Sequence, residues 1–558
     1  MNHSGLETER VSLVMLGGVG EIGMNMMAVQ YRSDLLVIDA GLMFPEEEML
    51  GVDLVIPNLS YLIEHRDMIR GIILTHGHED HTGALPFLVK EIEAPVYGTP
   101  LTLGLVSEKL REAGVLERVD MRVIRPREHL CLGAMEVEFI RVCHSIADGV
   151  GLAVRTPAGL IVHSGDFKLD QTPVDGQTTD LHRFADLGEK GVLVLLSDST
   201  NADQEGSTGS EKKVGEALDK IFRQAKKRII VACFSSNTHR IQQVMQVAAR
   251  LGKKVAVNGK TMVANLRIAS ELGYIRIPEG TLVRLEELRN LPPEKAVILT
   301  TGSQGEPLSA ISRMAMGEHK QIQVQPGDTI VISAKVIPGN EKSIAHTINH
   351  LFKRGAEVIY DQIAPVHVSG HPARDELKLM LNLVRPRYFV PIHGEYRHLH
   401  FHARLAMEVG IAEERIFVPE CGEILEFGPQ VARRAGRVQA GRVLVDGKGI
   451  GDVGETVLRD RQHLSQDGIV IVVLGFDRQS GEVISGPEII SRGFVYEKES
   501  EDLFEAAKAL VLSVLDGCNR EEKTEMEFIK PRIRNVLRKF LYRQIKRRPM
   551  ILPVIMEV

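Results

Sequence analysis

Four residues able to ligate a metal stand within six positions of one another in the segment THGHEDH: His76, His78, Asp80 and His81. Imidazole nitrogens and carboxylate oxygens suit zinc or manganese, and the apolar run GIIL just before them reads as a strand whose end can turn alternate side chains onto one point. A lone histidine is ordinarily a surface or packing residue, but four ligand types packed so closely are not. Further donors stand at the ends of other apolar runs: His144 in RVCHS, Asp166 in VHSGDF and His393 in VPIHGE. Together they are enough for two ions. Paired divalent ions lower the pKa of water and stabilise the entering and leaving oxygens of an in-line displacement, so the chemistry is hydrolysis.

The elements that must position these residues follow from the pattern of apolar runs. Through the first 200 residues, runs such as VSLVML, MMAVQY, LLVIDAG, EVEFIRVCHS and VLVLLSDST are broken by Gly and Asp turns, which predicts strands, with helices such as residues 101–113 between some of them. From about 210 to 365, helical and strand patterns alternate and predict a parallel α/β unit. RPRYFVPIHG and HLHFHARLAMEVG then return to the earlier style, as though the chain leaves one domain and comes back to it. Residues 431–455, rich in Gly and Arg, read as a linker. Residues 456–558 read as a small α+β domain with a hairpin (GIVIVVLGFDRQSGEVISGPEII), two helices and a final strand.

Length and composition bound the rest. At 558 residues, 44% hydrophobic and 25% charged with no tryptophan, the chain has the makeup of an ordinary globular protein of about three domains. A net charge of −6 excludes a uniformly basic coat for nucleic acid, so any such partner must lie in a local channel. Five scattered cysteines without a CxxC pair imply neither a disulfide framework nor a zinc knuckle, and point to the reducing cytoplasm. The first residues lack a signal-peptide pattern, and no apolar run reaches the ~18 residues of a membrane span, so no membrane partner is expected.

The ordered series IDAG, HxHxDH, a later His, SGD and a distal His resembles the metallo-β-lactamase superfamily. The resemblance implies an α/β fold, the αββα sandwich, with His76, His78 and His144 on one ion, Asp80, His81 and His393 on the other, Asp166 bridging them, and Asp39 orienting ligands without binding metal. More than two hundred positions separate Asp166 from His393, and the segment from 211 to 365 between them resembles the β-CASP domain carried by nucleases of this superfamily. The domain reading is therefore 1–210 and 366–430 for the metallo-β-lactamase part, 211–365 for the β-CASP insertion, then the linker and the C-terminal domain. GGVGEIGMN, FPEEEMLGVD, FSSNTHRIQQ, TTGSQGEP, HVSGHP, PIHGEYRH and the GIVIVV to ISRGFV region extend the resemblance to the bacterial ribonuclease J family over nearly the whole chain.

That resemblance implies a ribonuclease with 5′-to-3′ exonuclease and endonuclease activity in RNA maturation and mRNA decay. Asp80, Asp198 and His371 would carry catalysis, His371 as the acid held by Asp198. His367, Val368, Ser369, Gly370 and His371 of HVSGH form a loop whose hydroxyl and amide donors could cradle a phosphate, or an ordinary loop. Ser235, Ser236 and Asn237 of FSSN could do the same, or simply cap a helix. Gly51, Asp53 and Asp446 match positions that bind a structural calcium in some relatives; alone they are turn residues. The resemblance also implies a homodimer or homotetramer, RNA with a 5′-monophosphate end as substrate, and other RNA-decay proteins as partners. Gly18, Gly20 and Gly23 spell GxGxxG, but the residues after them read as extended rather than helical, which argues against a dinucleotide turn. The basic stretch KPRIRNVLRKFLYRQIKRR carries Ile533, Val536, Leu537, Phe540 and Leu541 at helical spacing, so its cations read as a solvated face. A metallohydrolase of small esters or lactones is the alternative, and the large insertion speaks against it. A non-catalytic RNA-binding subunit would be expected to have lost ligands, and none is missing.

Overall fold

Alternate residues of the N-terminal strands face opposite ways, and both faces are apolar, which demands cover on both sides. In a computed structural model of the protein, describing residues 9–46, 48–303, 309–336, 340–447, 449–477, 482–495, 500–518 and 526–557, each face receives it. Val11, Leu13 and Met15 of strand Val11–Gly17 enter a core shared with Phe139, Leu152, Leu196 and Val390, whereas Val14 and Leu16 face a helical layer holding Leu62, Leu85, Leu88 and Val106. The first sheet has eight strands, running from Ala432–Arg437 at one edge to Met121–Val123 at the other. The second has six, from Tyr388–Ile392 to His129–Leu132, and its far face packs on Phe184, Leu377, Leu381 and Leu405 of three helices. Helices, sheet, sheet, helices is the αββα sandwich.

The insertion is visible in the register of two strands. Val194–Asp198 pairs in parallel with Tyr388–Ile392, so Asp198 lies opposite Ile392 although the chain between them is long. That intervening chain builds a five-stranded, wholly parallel sheet in the order Lys254–Val257, Ala296–Thr300, Ile229–Ala232, Thr329–Ile332 and Glu357–Ile359. Ile229 and Val231 bury on one side of it, Ile230 and Ala232 on the other.

Compactness divides the chain into two units, Met1–Phe44 with Leu54–Val443, and Pro45–Asp53 with Leu444–Val558. In the second, strands Val483–Arg492, Ile469–Phe476 and Met550–Glu557 form a sheet on which helices Glu501–Asp516 and Met526–Ile545 bury Val511, Leu515, Ile533, Leu537 and Leu541. No described helix is long and apolar enough to cross a membrane.

Some expectations need correcting or stand apart. Residues 431–455 are not an irregular linker: Ala432–Arg437 completes the edge of the large sheet, and Arg442–Asp446 and Gly449–Ile450 form a further pair. Their mostly exposed, charged side chains hide the strand pattern, because an edge strand is specified by backbone pairing rather than burial. The helix Glu455–Asp467 was also not foreseen, and it buries none of its side chains. The end of TTGSQGEP, the tip of the C-terminal hairpin and one glutamate of FPEEEMLGVD lie outside the described residues.

Candidate metal centre

Every expected ligand comes from the end of a strand or the loop after it. Asp34–Ile38 delivers Asp39, Ile69–Ile73 leads to His76, Met135–Val142 to His144, Gly159–His163 to Asp166, and Tyr388–Ile392 to His393. The donor atoms of His76, His78 and His144 form one tight group, and those of Asp80, His81, Asp166 and His393 a second. His78 Nδ1 lies 3.0 Å from His76 Nε2 and 3.2 Å from His144 Nε2. Tetrahedral ligands at zinc-nitrogen bond lengths stand roughly 3.3 Å apart, so the spacing is that of a coordination shell. Asp166 Oδ2 lies between the groups, 3.2 Å from His81 Nε2, 3.3 Å from His393 Nε2 and 3.7 Å from His76 Nε2.

Each imidazole is turned toward the centre by a partner on its other nitrogen. Asp39 Oδ2 accepts from His81 Nδ1 at 2.8 Å while its Oδ1 accepts the Thr75 amide at 2.7 Å. His144 Nδ1 donates to the Gly370 carbonyl at 2.7 Å, and His393 Nδ1 donates to Thr200 Oγ1 at 2.6 Å. The buried Nε2 of His393 then finds no hydrogen-bond partner among the described residues, an orphaned atom of the kind a ligated cation satisfies.

The electrostatics divide the groups in the same way. Burial pushes His76, His78 and His144 down, His78 to about 4 and the others well below the ordinary histidine value, so these three are neutral donors. Burial also opposes charge on His81 and His393, but Asp166, Asp80 and Asp39 overcome it at His81. At His393, Asp166, Asp80 and Asp198 do so, lifting it to about 9. The second group therefore draws positive charge to itself, which a divalent ion supplies. The residues present fit a divalent-metal centre.

Glycines permit the close approaches. A Cβ on Gly41 would fall 1.7 Å from the Asp80 carbonyl oxygen, and one on Gly370 would fall 2.6 Å from His144 Cε1. Asn25, which sequence reading passed over, donates from Nδ2 to that Asp80 carbonyl at 3.1 Å; its only signal was its place in GGVGEIGMN. After Gly18, Gly20 and Gly23 the chain enters strand Met26–Tyr31, so no helix opens there for a dinucleotide phosphate.

Beside the ligands, His371 Nδ1 lies 2.8 Å from Asp198 Oδ2, and its ring stands between those of His144 and His393 at 4.8 and 5.2 Å. Burial pushes Asp198 up, but His371 outweighs it and keeps the carboxyl below its ordinary value. Ser369 Oγ accepts from Asn201 Nδ2 at 2.7 Å and from the His371 amide at 3.2 Å, so its own proton is directed elsewhere. Burial holds the partly covered His367 at about 3, with Arg240 adding to the effect, so it is neutral; Val368 is half-buried beside it. In FSSN, Ser235 and Ser236 are half-buried, and Asn237 caps helix Thr238–Arg250 by accepting from the Arg240 amide at 2.9 Å.

The expected calcium residues do come together, away from this centre. Asp53 Oδ2 accepts the Gly447 amide at 2.7 Å, but Asp446 faces Arg461 Nη2 at 2.5 Å, and Arg461 Nη1, 2.9 Å from the Leu50 carbonyl, lies against Gly51. Asp446 already has its counter-cation, so these residues do not call for calcium.

Comparison with known proteins extends these observations. Residues 19–173 match the metallo-beta-lactamase superfamily, 226–351 the ribonuclease J beta-CASP domain, 356–419 the Zn-dependent metallo-hydrolase RNA specificity domain, and 456–558 the ribonuclease J C-terminal domain. Ribonuclease J2 of Bacillus subtilis is 46% identical over 99% of both chains. Ribonuclease J 1 of Streptococcus pyogenes is 42% identical over 100% of this chain and 99% of its own, and ribonuclease J of Helicobacter pylori 40% over 97% and 79%. A solved structure of a protein of unknown function from Enterococcus faecalis superposes with a TM-score of 0.52 at 16% identity, over 76% of this chain and 100% of that one, a likeness of fold alone. Similar along its whole length to these relatives, the chain belongs to the ribonuclease J family of metal-dependent, RNA-processing nucleases.

Proposed function

We propose that the chain hydrolyses RNA phosphodiesters both from the 5′ end and internally, in RNA maturation and mRNA decay, at a centre holding two divalent ions. The observation that carries this reading is the convergence of seven donor side chains in two groups around Asp166, next to a loop of phosphate-type donors. His76, His78 and His144 would hold one ion, Asp80, His81 and His393 the other, and Asp166 both; zinc and manganese each suit the donors. When bound, such ions acidify water and stabilise charge on the reacting phosphate. Asp198 fixes His371 by its Nδ1 proton, which leaves Nε2 to deliver a proton to the departing ribose 3′-oxygen. Ser369 directs its free hydroxyl proton to a phosphate oxygen, with the Gly370 amide, His367 and Val368 shaping the same seat. Ser235, Ser236 and Asn237 contribute to a seat for the terminal phosphate. The family's intracellular RNA substrates place the work in the cytoplasm, alongside other RNA-decay proteins.

The second compact unit supplies an assembly surface. On the sheet face away from its helices, Ile471 lies beside Ile490 and Leu552, and Val473 beside Val554; Ile484, Ile490, Leu552, Val554 and Met556 are exposed. A contiguous apolar sheet face of this kind is covered in stable proteins, and a second copy of the chain, in a homodimer or homotetramer, would cover it.

Four outcomes are expected. Replacing Asp80 and His81 by Ala together leaves the fold intact and abolishes cleavage of labelled RNA, as a chelator does to the unaltered protein; cleavage at the wild-type rate by the double variant would remove the metal assignment. Because carboxylates hold protons on His81 and His393, metal binding near neutral pH releases protons, and affinity rises as pH climbs toward about 9. Calorimetric titration of metal-free protein in buffers of different ionisation enthalpy measures that release, and its absence would contradict the charge state described. Leu552→Glu with Val554→Glu yields a smaller species in sedimentation, whereas an unchanged oligomer would place the interface elsewhere.

The fourth concerns the RNA end. A monophosphate is a compact anion that hydroxyls and amides can satisfy, whereas a triphosphate adds charge that a closed seat must desolvate without partners. Monophosphorylated RNA is therefore degraded faster, and Ser235→Ala with Asn237→Ser weakens that preference while the serine still caps the helix. Equal wild-type rates on one RNA carrying either end would exclude a terminal seat.

A further inference from the structure

Arg240 is completely buried, although it lies outside the metal centre and no step above uses it. A buried guanidinium must have its donors matched, so its partners define its role. Nη1 donates to the Val366 carbonyl at 2.6 Å and to the carbonyl and hydroxyl of Ser333; Nη2 donates to Glu211 Oε2 at 2.9 Å. Ser333 Oγ also donates to the Val366 carbonyl, at 2.7 Å. Val366 immediately precedes HVSGH. The backbone amide of Arg240 meets Asn237 Oδ1, the last residue of FSSN. One residue is thus tied to both phosphate-type segments.

The ties continue into the sandwich. Glu211, also buried, donates its amide to Asp170 Oδ2 at 3.0 Å, and its free Oε1 lies 4.0 Å from Lys168 Nζ, itself 3.5 Å from Asp170 Oδ2. Lys168 stands two residues beyond Asp166, and its amide donates to the carbonyl of Cys143, the neighbour of His144. At the far end of the HVSGH loop, the Gly370 carbonyl holds His144 Nδ1. Two cations and two anions leave the network neutral. Apolar isosteres of such a network are often no less stable, so stability alone does not account for it. What it supplies is direction: a planar fork fixes where Val366 stands relative to Asn237.

We propose that Arg240, held by Glu211, is a positioning residue that sets the HVSGH loop and FSSN in register with each other and with His144, so that the terminal-phosphate seat stands at a fixed remove from the reacting diester. This rests on the reading that both segments hold phosphate. Lysine keeps the charge of Arg240 but cannot reach Glu211 and Val366 together.

The test compares Arg240→Lys, Ser333→Ala and the Ser235→Ala with Asn237→Ser variant on one RNA carrying a 5′-monophosphate or 5′-triphosphate, with metal content measured for each protein. Arg240→Lys is expected to keep wild-type metal content and raise KM for monophosphorylated RNA about ten-fold, the worth of one charge-assisted hydrogen bond, with a smaller change in kcat and a preference falling toward unity. Ser333→Ala shifts both in the same direction by a few fold, and decides the matter if Arg240→Lys does not fold. Wild-type KM and preference in the folded variant overturn the proposal, as does loss of metal and activity together, which marks a merely structural residue. If the Ser235/Asn237 variant loses the preference while Arg240→Lys keeps it, the positioning role fails and the phosphate reading stands. If neither variant changes it, the phosphate reading fails as well.

Discussion

Three imidazole nitrogens, from His76, His78 and His144, face one another at hydrogen-bond distance, and Asp166 shares one oxygen's surroundings with four histidines. Donor atoms do not gather this way for their own sake. Lone pairs aimed at one point repel, and each buried group has given up water to reach it. The arrangement holds only because each side chain is gripped from behind: His81 by Asp39, His144 by Gly370, His393 by Thr200. Much of the rest of the first compact unit can be understood as the means of gripping.

Parallel strands end side by side, and that is why neighbouring strands deliver neighbouring ligands. Ile38 lies opposite Ile73, so Asp39 stands close to Thr75 and His76; Asp198 lies opposite Ile392, so it stands close to His393. The long insertion between Val194–Asp198 and Tyr388–Ile392 costs this geometry nothing, because both strands are anchored by their pairing rather than by the chain between them. A second domain can therefore be housed there and still return a loop, 366–371, directly onto His144.

What was legible in the sequence was whatever depends on local pattern. HxHxDH, the strand-terminal His144, Asp166 and His393, the pairing of His371 with Asp198, and the alternating texture of 211–365 each carry their signal within a few residues. What was not legible depends on partners distant in the chain. Thr200 is an unremarkable threonine until His393 arrives beside it, and Arg240 is one of many arginines until Val366, Ser333 and Glu211 close around it. The same holds for Ala432–Arg437, an edge strand whose exposed, charged residues resemble a linker because its hydrogen bonds, and not its side chains, place it. Asn237 is a case in which two readings are compatible: its carbonyl oxygen caps a helix, and the residue still belongs to the segment proposed to hold phosphate.

The net charge of −6 fits this organisation. An enzyme that bound RNA chiefly through a basic coat would hold any polyanion equally, and its affinity would fall steeply with salt. Here the phosphate-type donors are hydroxyls and backbone amides on two loops, fixed by a neutral buried network and joined to a metal ligand by the bond between Gly370 and His144. Such donors are weak unless correctly placed, so discrimination depends on geometry more than on charge. The loop that grips the backbone and the histidine that would grip the ion are held by one hydrogen bond, and recognition of RNA cannot be displaced without displacing the chemistry.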